Sequence, residues 1–222
     1  MSTHVAQFGT LLGTGKLRTT IELISTLPFM YAVAVCDSAR RKPPQGKPAV
    51  DPSPGTEPRW SHDVPLGRPL TVAELESEAM ELPSQAKRNR ALGIIDFSSD
   101  KSGSAGESIS RAKMHLAGFP APELQHSFDL RDGSTALADF WFPAQRIAGE
   151  FDGEGKYLRK DWGKGLDVAQ RVLAEKKREN AIRAQGVSFA RWDWKDLMAT
   201  GAIEAILREA GLMPEHRRRP LR

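Results

Sequence analysis

Apolar positions change their spacing twice along the chain. Between Leu17 and Arg40 the residues Ile21, Leu23, Ile24, Leu27, Met30, Ala32, Val33 and Val35 recur at helical intervals, with Pro28 interrupting them, so two short helices are predicted, with a strand as the alternative for the β-branched end. The eight prolines from Pro43 to Pro69 then exclude a sustained helix or central strand, and residues 42–69 read as a long loop. Thr71, with Glu74 three residues on, has the form of a capping box opening a helix over Val72 to Met80, and Ser84 opens a second helix to Phe97. The polar stretch Ser98 to Gly106 is the candidate domain boundary.

Beyond it the periods mix. Glu107 to Leu116 reads as a helix ended by Gly118 and Pro120. Gln125 to Leu130 and Ala136 to Phe142 alternate as two strands around the turn Arg131-Asp132-Gly133-Ser134, and Arg146 to Asp152 follows as a third. A helix over Gly165 to Gln185, a strand over Val187 to Arg191 and a closing helix over Trp194 to Ala210 complete an α-β-β-β-α-β-α order. An α/β class with a mixed sheet follows, preceded by a small helical segment. The expected division is 1–98 for that segment, 99–212 for the α/β domain and 213–222 for a basic tail.

Composition changes this picture modestly. With 222 residues and 40% hydrophobic positions the chain can hold a sizeable core. The net charge of +4 is gathered in runs such as Arg40-Arg41-Lys42, Lys87-Arg88-Asn89-Arg90, Lys176-Lys177-Arg178 and Arg217-Arg218-Arg219, which permit a polyanionic partner. The single cysteine, Cys36, excludes an intrachain disulfide and a cysteine zinc site, and a reducing cytoplasm is the expected setting. The apolar run Thr20 to Cys36 is broken by Glu22 and Pro28 and is too short to span a bilayer, so it reads as core and no membrane role is expected. Gly9 to Lys16 has the wrong glycine spacing for a phosphate-binding loop and carries Leu17 where Ser or Thr belongs.

The candidate chemistry lies in carboxylates. Glu150 and Asp152 are two apart on one strand and therefore share a face, Asp139 lies on the preceding strand, and Glu107 starts the helix before them. Such a cluster suits a hard divalent cation, Mg2+ or Mn2+, which polarises a phosphodiester oxygen and activates water. Without a cation, three or four carboxylates together repel one another. The bland alternative is that Asp139 and Asp152 are strand-end acids and Glu107 a helix-start acid. Lys156 is a candidate to neutralise a pentavalent phosphate or orient the water, or an ordinary loop lysine, and Gln125 is a candidate to bind a water or phosphate, or a solvent-facing residue. Arg178 and Arg191 are candidates for the nucleic-acid backbone, or for pairing with Glu175 and Asp193, while Lys87 and Arg88 are candidates for DNA binding or a solvated helix face. His115 and His126 lack zinc spacing.

Several of these segments, Gly106-Glu107-Ser108-Ile109-Ser110-Arg111, Gly118-Phe119-Pro120-Ala121-Pro122-Glu123-Leu124-Gln125, Ala138-Asp139-Phe140-Trp141, Gly149-Glu150-Phe151-Asp152-Gly153 with Lys156-Tyr157, and Glu175-Lys176-Lys177-Arg178-Glu179 before Arg191-Trp192, resemble one family. It is the restriction-endonuclease-like PD-(D/E)xK domain of the very-short-patch-repair type, matched over about residues 104–198. The resemblance implies a magnesium-dependent DNA endonuclease fold with Asp139 and Glu150 on metal-ligand positions and Glu107 on the helix acid. Asp152 stands where the motif lysine belongs, and Lys156 is the candidate replacement. Actinobacterial relatives join such a domain to an antitoxin-like winged helix of abortive-infection systems. Leu17 to Arg41 resembles their connector rather than the winged helix, which implies that a separate partner or the basic helices at 84–97 supply targeting, in phage or mobile-element defence, and the analogy with nucleases that cut two strands adds a homodimer. The other reading is a catalytically weak DNA-binding or antitoxin-like regulator that keeps the fold.

Overall fold

A computed structural model describes residues 5–8, 10–42, 67–153 and 168–215. Lys156, most of the proline-rich loop and most of the basic tail lie outside the described residues. The chain divides into two compact units, residues 1–109 and 110–222, and the division falls inside a helix rather than in the polar stretch 98–106.

The first unit opens on an antiparallel hairpin, β1 (Val5–Phe8) and β2 (Leu11–Thr14), which the apolar pattern did not predict. Four helices follow: α1 (Lys16–Ile24), α2 (Phe29–Arg40), α3 (Val72–Met80) and α4 (Gln85–Phe97). Pro28 separates α1 from α2 as expected and stands at the N-cap of α2, where its missing N–H costs no intrahelical bond. The capping box at α3 forms: the Glu74 amide donates to Thr71 Oγ1 at 3.2 Å and the Thr71 amide donates to Glu74 Oε2 at 2.9 Å. Ser84 stands at the N-cap of α4 without a side-chain capping bond. Ile21, Ile24, Val33, Leu75 and Ile95 are buried where these helices meet.

The stretch before α5 (Ala105–Leu116) is tightly bonded within this unit. Asp37 of α2 is 1% exposed and accepts from the Ser99 amide at 2.7 Å and from Ser102 Oγ at 3.1 Å. Arg40 donates to the Ser98 carbonyl at 2.8 Å, and Arg41 to the Gly103 carbonyl.

The second unit is built on a four-stranded sheet of order β3-β4-β5-β6. Strands β3 (Glu123–Asp129), β4 (Thr135–Phe142) and β5 (Ile147–Asp152) are antiparallel neighbours, whereas β5 and β6 (Ser188–Asp193) run parallel. The sheet is therefore mixed, as the element order predicted. The parallel pair requires a long crossover, which contains α6 (Val168–Arg183), and Gly186 leaves that helix at φ 76°. The predicted closing helix is two helices, α7 (Trp194–Met198) and α8 (Ala202–Glu209), because Gly201 adopts φ 74° between them. Gly149 is needed for a different reason. A Cβ there would come within 2.9 Å of the Trp192 ring and 3.3 Å of Phe140 Cβ.

The two faces of the sheet carry different partners. Trp192, 2% exposed, packs on Phe140 and donates from Nε1 to Ser110 Oγ of α5 at 2.8 Å. Ala148, Trp141 and Phe128 form a core with Ile182 of α6 and Val187. Trp141 and Trp192 are buried core, and Trp194 packs edge-on against Phe151. No described helix is long and apolar enough to cross a membrane.

Candidate functional site

The antiparallel register of β4 and β5 pairs Phe140 with Gly149, so Asp139 and Glu150 come at adjoining positions of neighbouring strands. Asp139 Oδ2 accepts from the Phe151 amide at 3.0 Å, which fixes this carboxylate beside the backbone that carries Glu150. Its Oδ1 accepts from Gln125 Nε2 at 3.2 Å. Gln125 sits at φ 53°, a region a non-glycine residue rarely adopts, and its place in the β3–β4 pairing is skipped. An unfavourable backbone conformation at a residue that orients a candidate ligand is the kind of local strain found at functional sites.

Glu150 is buried at 6% exposure, and both of its oxygens face guanidinium groups. Arg178 Nη2 lies 2.6 Å from Oε1, and Arg191 Nη2 lies 2.7 Å from Oε2. Helical spacing brings Glu175, Arg178 and Glu179 of α6 to one face. Parallel pairing puts Arg191 opposite Glu150 on β6. The same Nη2 atoms also meet Glu175 Oε1, at 2.5 Å from Arg178 and 2.9 Å from Arg191. Arg191 extends the network to Glu179 at 3.1 Å and to Asp152 at 3.4 Å. Glu150 and Asp152 do share a face, and what joins them is Arg191.

The electrostatics follow from this packing. Burial pushes the Glu150 carboxyl above its ordinary range, against the downward pull of Arg191 and Arg178. The Arg178 hydrogen bond, with Arg191 behind it, holds Glu175 down to about 2 despite the opposing effect of burial. Arg178 is raised by Glu175 and Glu150, and Arg191 stays raised because the surrounding acids outweigh its burial. These directions describe one cluster: both arginines are held charged, and the remaining cost of burial falls on Glu150, the most enclosed carboxylate.

The other candidates divide clearly. Glu107 belongs to the first unit, where its carboxylate accepts from the Gly103 amide at 2.7 Å and from Ser104 Oγ at 3.0 Å, a reciprocal cap on α5. Arg191 pairs with Glu150, Asp152, Glu175 and Glu179, while Asp193, the alternative partner, caps α7 by accepting from the Asp196 amide at 3.0 Å. Arg178 does take Glu175. On α4, Lys87 is exposed, whereas Arg88 donates to the Leu82 carbonyl at 2.7 Å and to Gln85 Oε1 at 2.9 Å. His126 stacks on Trp141 and bonds Glu123 at 2.8 Å. Among the described residues no group of three or more His, Cys, Asp or Glu side chains is arranged to hold a metal ion.

Sequence reasoning missed Glu179 and gave Glu175 only a pairing role. The acid-base-acid spacing of Glu175, Arg178 and Glu179 was the available signal. No protein-family model matches the chain, and no curated protein or solved structure matches it either.

Proposed function

We propose that the second unit is a metal-dependent DNA endonuclease domain with a restriction-endonuclease-like core. One observation carries the reading: Asp139, oriented by Gln125 and by the Phe151 amide, lies beside Glu150 on adjoining strands of a mixed sheet. The order around that sheet, helix, three antiparallel strands, crossover helix and parallel strand, is the one the resemblance implies. Hard carboxylate oxygens from adjacent strands are the donor type that Mg2+ or Mn2+ takes. Such an ion, when bound, supplies the charge that polarises a phosphodiester oxygen and lowers the pKa of a water. The chain's own part is to fix Asp139 through Gln125 and to present Arg178 and Arg191 to phosphate oxygens. Phage or mobile-element defence and a homodimer or targeting partner belong to the same proposal through the resemblance alone, and a cytoplasmic setting through the single cysteine.

The test is nicking and linearisation of plasmid DNA at low salt with Mg2+ or Mn2+. Cleavage by the wild type, lost in Asp139→Ala and Glu150→Ala, is the expected result. No cleavage of plasmid, linear or single-stranded DNA with either ion sinks the catalytic reading. The arginines on both Glu150 oxygens favour a second reading, a DNA-binding regulator that keeps the fold without strong catalysis. That reading predicts metal-free DNA binding unchanged by Asp139→Ala.

A further inference from the structure

We infer that Arg178 and Arg191 form an internal counter-ion lock on Glu150, and that nucleic-acid phosphates open it, so that metal and DNA bind to this site cooperatively. The inference rests on the nuclease reading and concerns the regulation of that same site.

Three features carry it. First, both Glu150 oxygens are taken at 2.6 and 2.7 Å by cations the chain itself supplies, so a divalent ion must compete with two guanidiniums for the same lone pairs. Second, the lock has somewhere to go. The Nη2 atoms that hold Glu150 also touch Glu175, and Arg191 reaches Glu179 and Asp152 as well. Releasing Glu150 therefore leaves neither arginine without an acid, which lowers the cost of opening compared with breaking an isolated buried pair. Third, a guanidinium has five donors in a planar fork that fits phosphate oxygens, and the side chains of Arg178 and Arg191 keep 26% and 28% exposure. A phosphate drawing the arginines aside frees Glu150. A cation on Glu150 in turn repels the arginines toward the phosphate, and linkage makes the two effects equal.

The experiment is Mn2+ binding followed by electron paramagnetic resonance of the free ion, with and without a short phosphorothioate duplex that resists cleavage. The lock predicts that the duplex tightens Mn2+ binding to the wild type by about tenfold, within the range usual for coupled sites. Arg178→Gln/Arg191→Gln, checked for folding by circular dichroism, binds Mn2+ about tenfold more tightly without DNA and loses the response to the duplex. Arg183→Gln removes an equal charge from α6 at a residue paired with Glu179 and not with Glu150, and it leaves the affinity within about twofold. Mn2+ binding by the wild type that ignores both duplex and double variant overturns the lock and leaves the nuclease reading standing. An absence of Mn2+ binding in the wild type and in the double variant, with or without DNA, overturns both. Where the double variant does not fold, Arg178→Gln and Arg191→Gln taken singly carry the same comparison, since each removes the cation from one Glu150 oxygen; Mn2+ affinity without DNA that is unchanged in both overturns the lock.

Discussion

Asp37 in the first unit and Glu150 in the second are both acids with almost no exposure, 1% and 6%, yet their surroundings differ in kind. Asp37 accepts from the Ser99 amide and the Ser102 hydroxyl, two donors on one short stretch of chain, and also attracts the Arg41 guanidinium. Glu150 is held by two long guanidinium side chains that have three further acids to choose from. Donors on one short stretch of chain have one arrangement, so an acid bound to them serves architecture. Side-chain cations can be exchanged, so an acid bound to them can change partners. Burial without exchange is the mark of a structural carboxylate, and burial with exchange is what a binding site needs.

The largest expected effect breaks the first half of that contrast. Asp37→Ala leaves a part-buried amide and a buried hydroxyl without this acceptor, at about 1–3 kcal/mol for each such group, so a loss of about 3 kcal/mol is expected. Urea denaturation followed by both circular dichroism and tryptophan fluorescence checks it. Four of the five tryptophans, Trp141, Trp162, Trp192 and Trp194, lie in the second unit, so in a Trp60→Phe background fluorescence reports on it separately from the helices of the first. A change below about 1 kcal/mol would remove Asp37 from the architectural role.

Glu150→Gln sharpens the other half. The substitution keeps the shape, removes a charge whose burial is already unfavourable, and leaves Arg178 and Arg191 paired with Glu175, Glu179 and Asp152. A loss of about 1 kcal/mol is expected, well under that of Asp37→Ala. An equal loss at the two sites would mean that Glu150 is as fixed as Asp37, and the exchange argument would fall.

The contrast also explains what could be read in advance. Local rules fixed the helices around Pro28, the capping box at Thr71 and Glu74, and the hairpin turn before β4, because each depends on residues within a few positions. Period two along β5 put Glu150 and Asp152 on one face, and strand order put Asp139 beside them. The β1–β2 hairpin escaped because its strands have four residues each and its glycines suggested a different motif. The break at Gly201 escaped because the apolar spacing continues across it. The lock could not be read at all: Arg178 and Glu150 are 28 residues apart, and their meeting depends on how the crossover helix lies on the sheet. Glu107, read as a candidate ligand, also bonds Gly103 and Ser104 as a helix cap.

Acid supplies the smallest and most selective probe of the exchangeable cluster. Glu175 has a folded pKa of about 2, below the unfolded value of about 4.3, so its contribution is complete above that unfolded value and is lost as pH falls toward 2. Glu150 has the opposite sign. Its raised pKa favours the folded state as pH falls from its folded value to about 4.3, and protonation there also loosens the lock. Stability should therefore hold or rise slightly on acidification to about pH 5, then drop between about pH 4.5 and pH 2. The Glu175 side chain is 39% exposed, so solvent screening reduces its share to on the order of 1 kcal/mol. Glu74 in the first unit is also held at about 2, by Arg68 and Thr71, and titrates in the same window. The decisive quantity is thus the difference between wild type and Glu175→Gln, measured as urea midpoints by tryptophan fluorescence across that range. The two curves should differ by about 1 kcal/mol near pH 6 and converge near pH 2. A gap that persists at pH 2 would show that Glu175 contributes through packing rather than through its charge, and Arg178 would then have no acid waiting to receive it when Glu150 lets go.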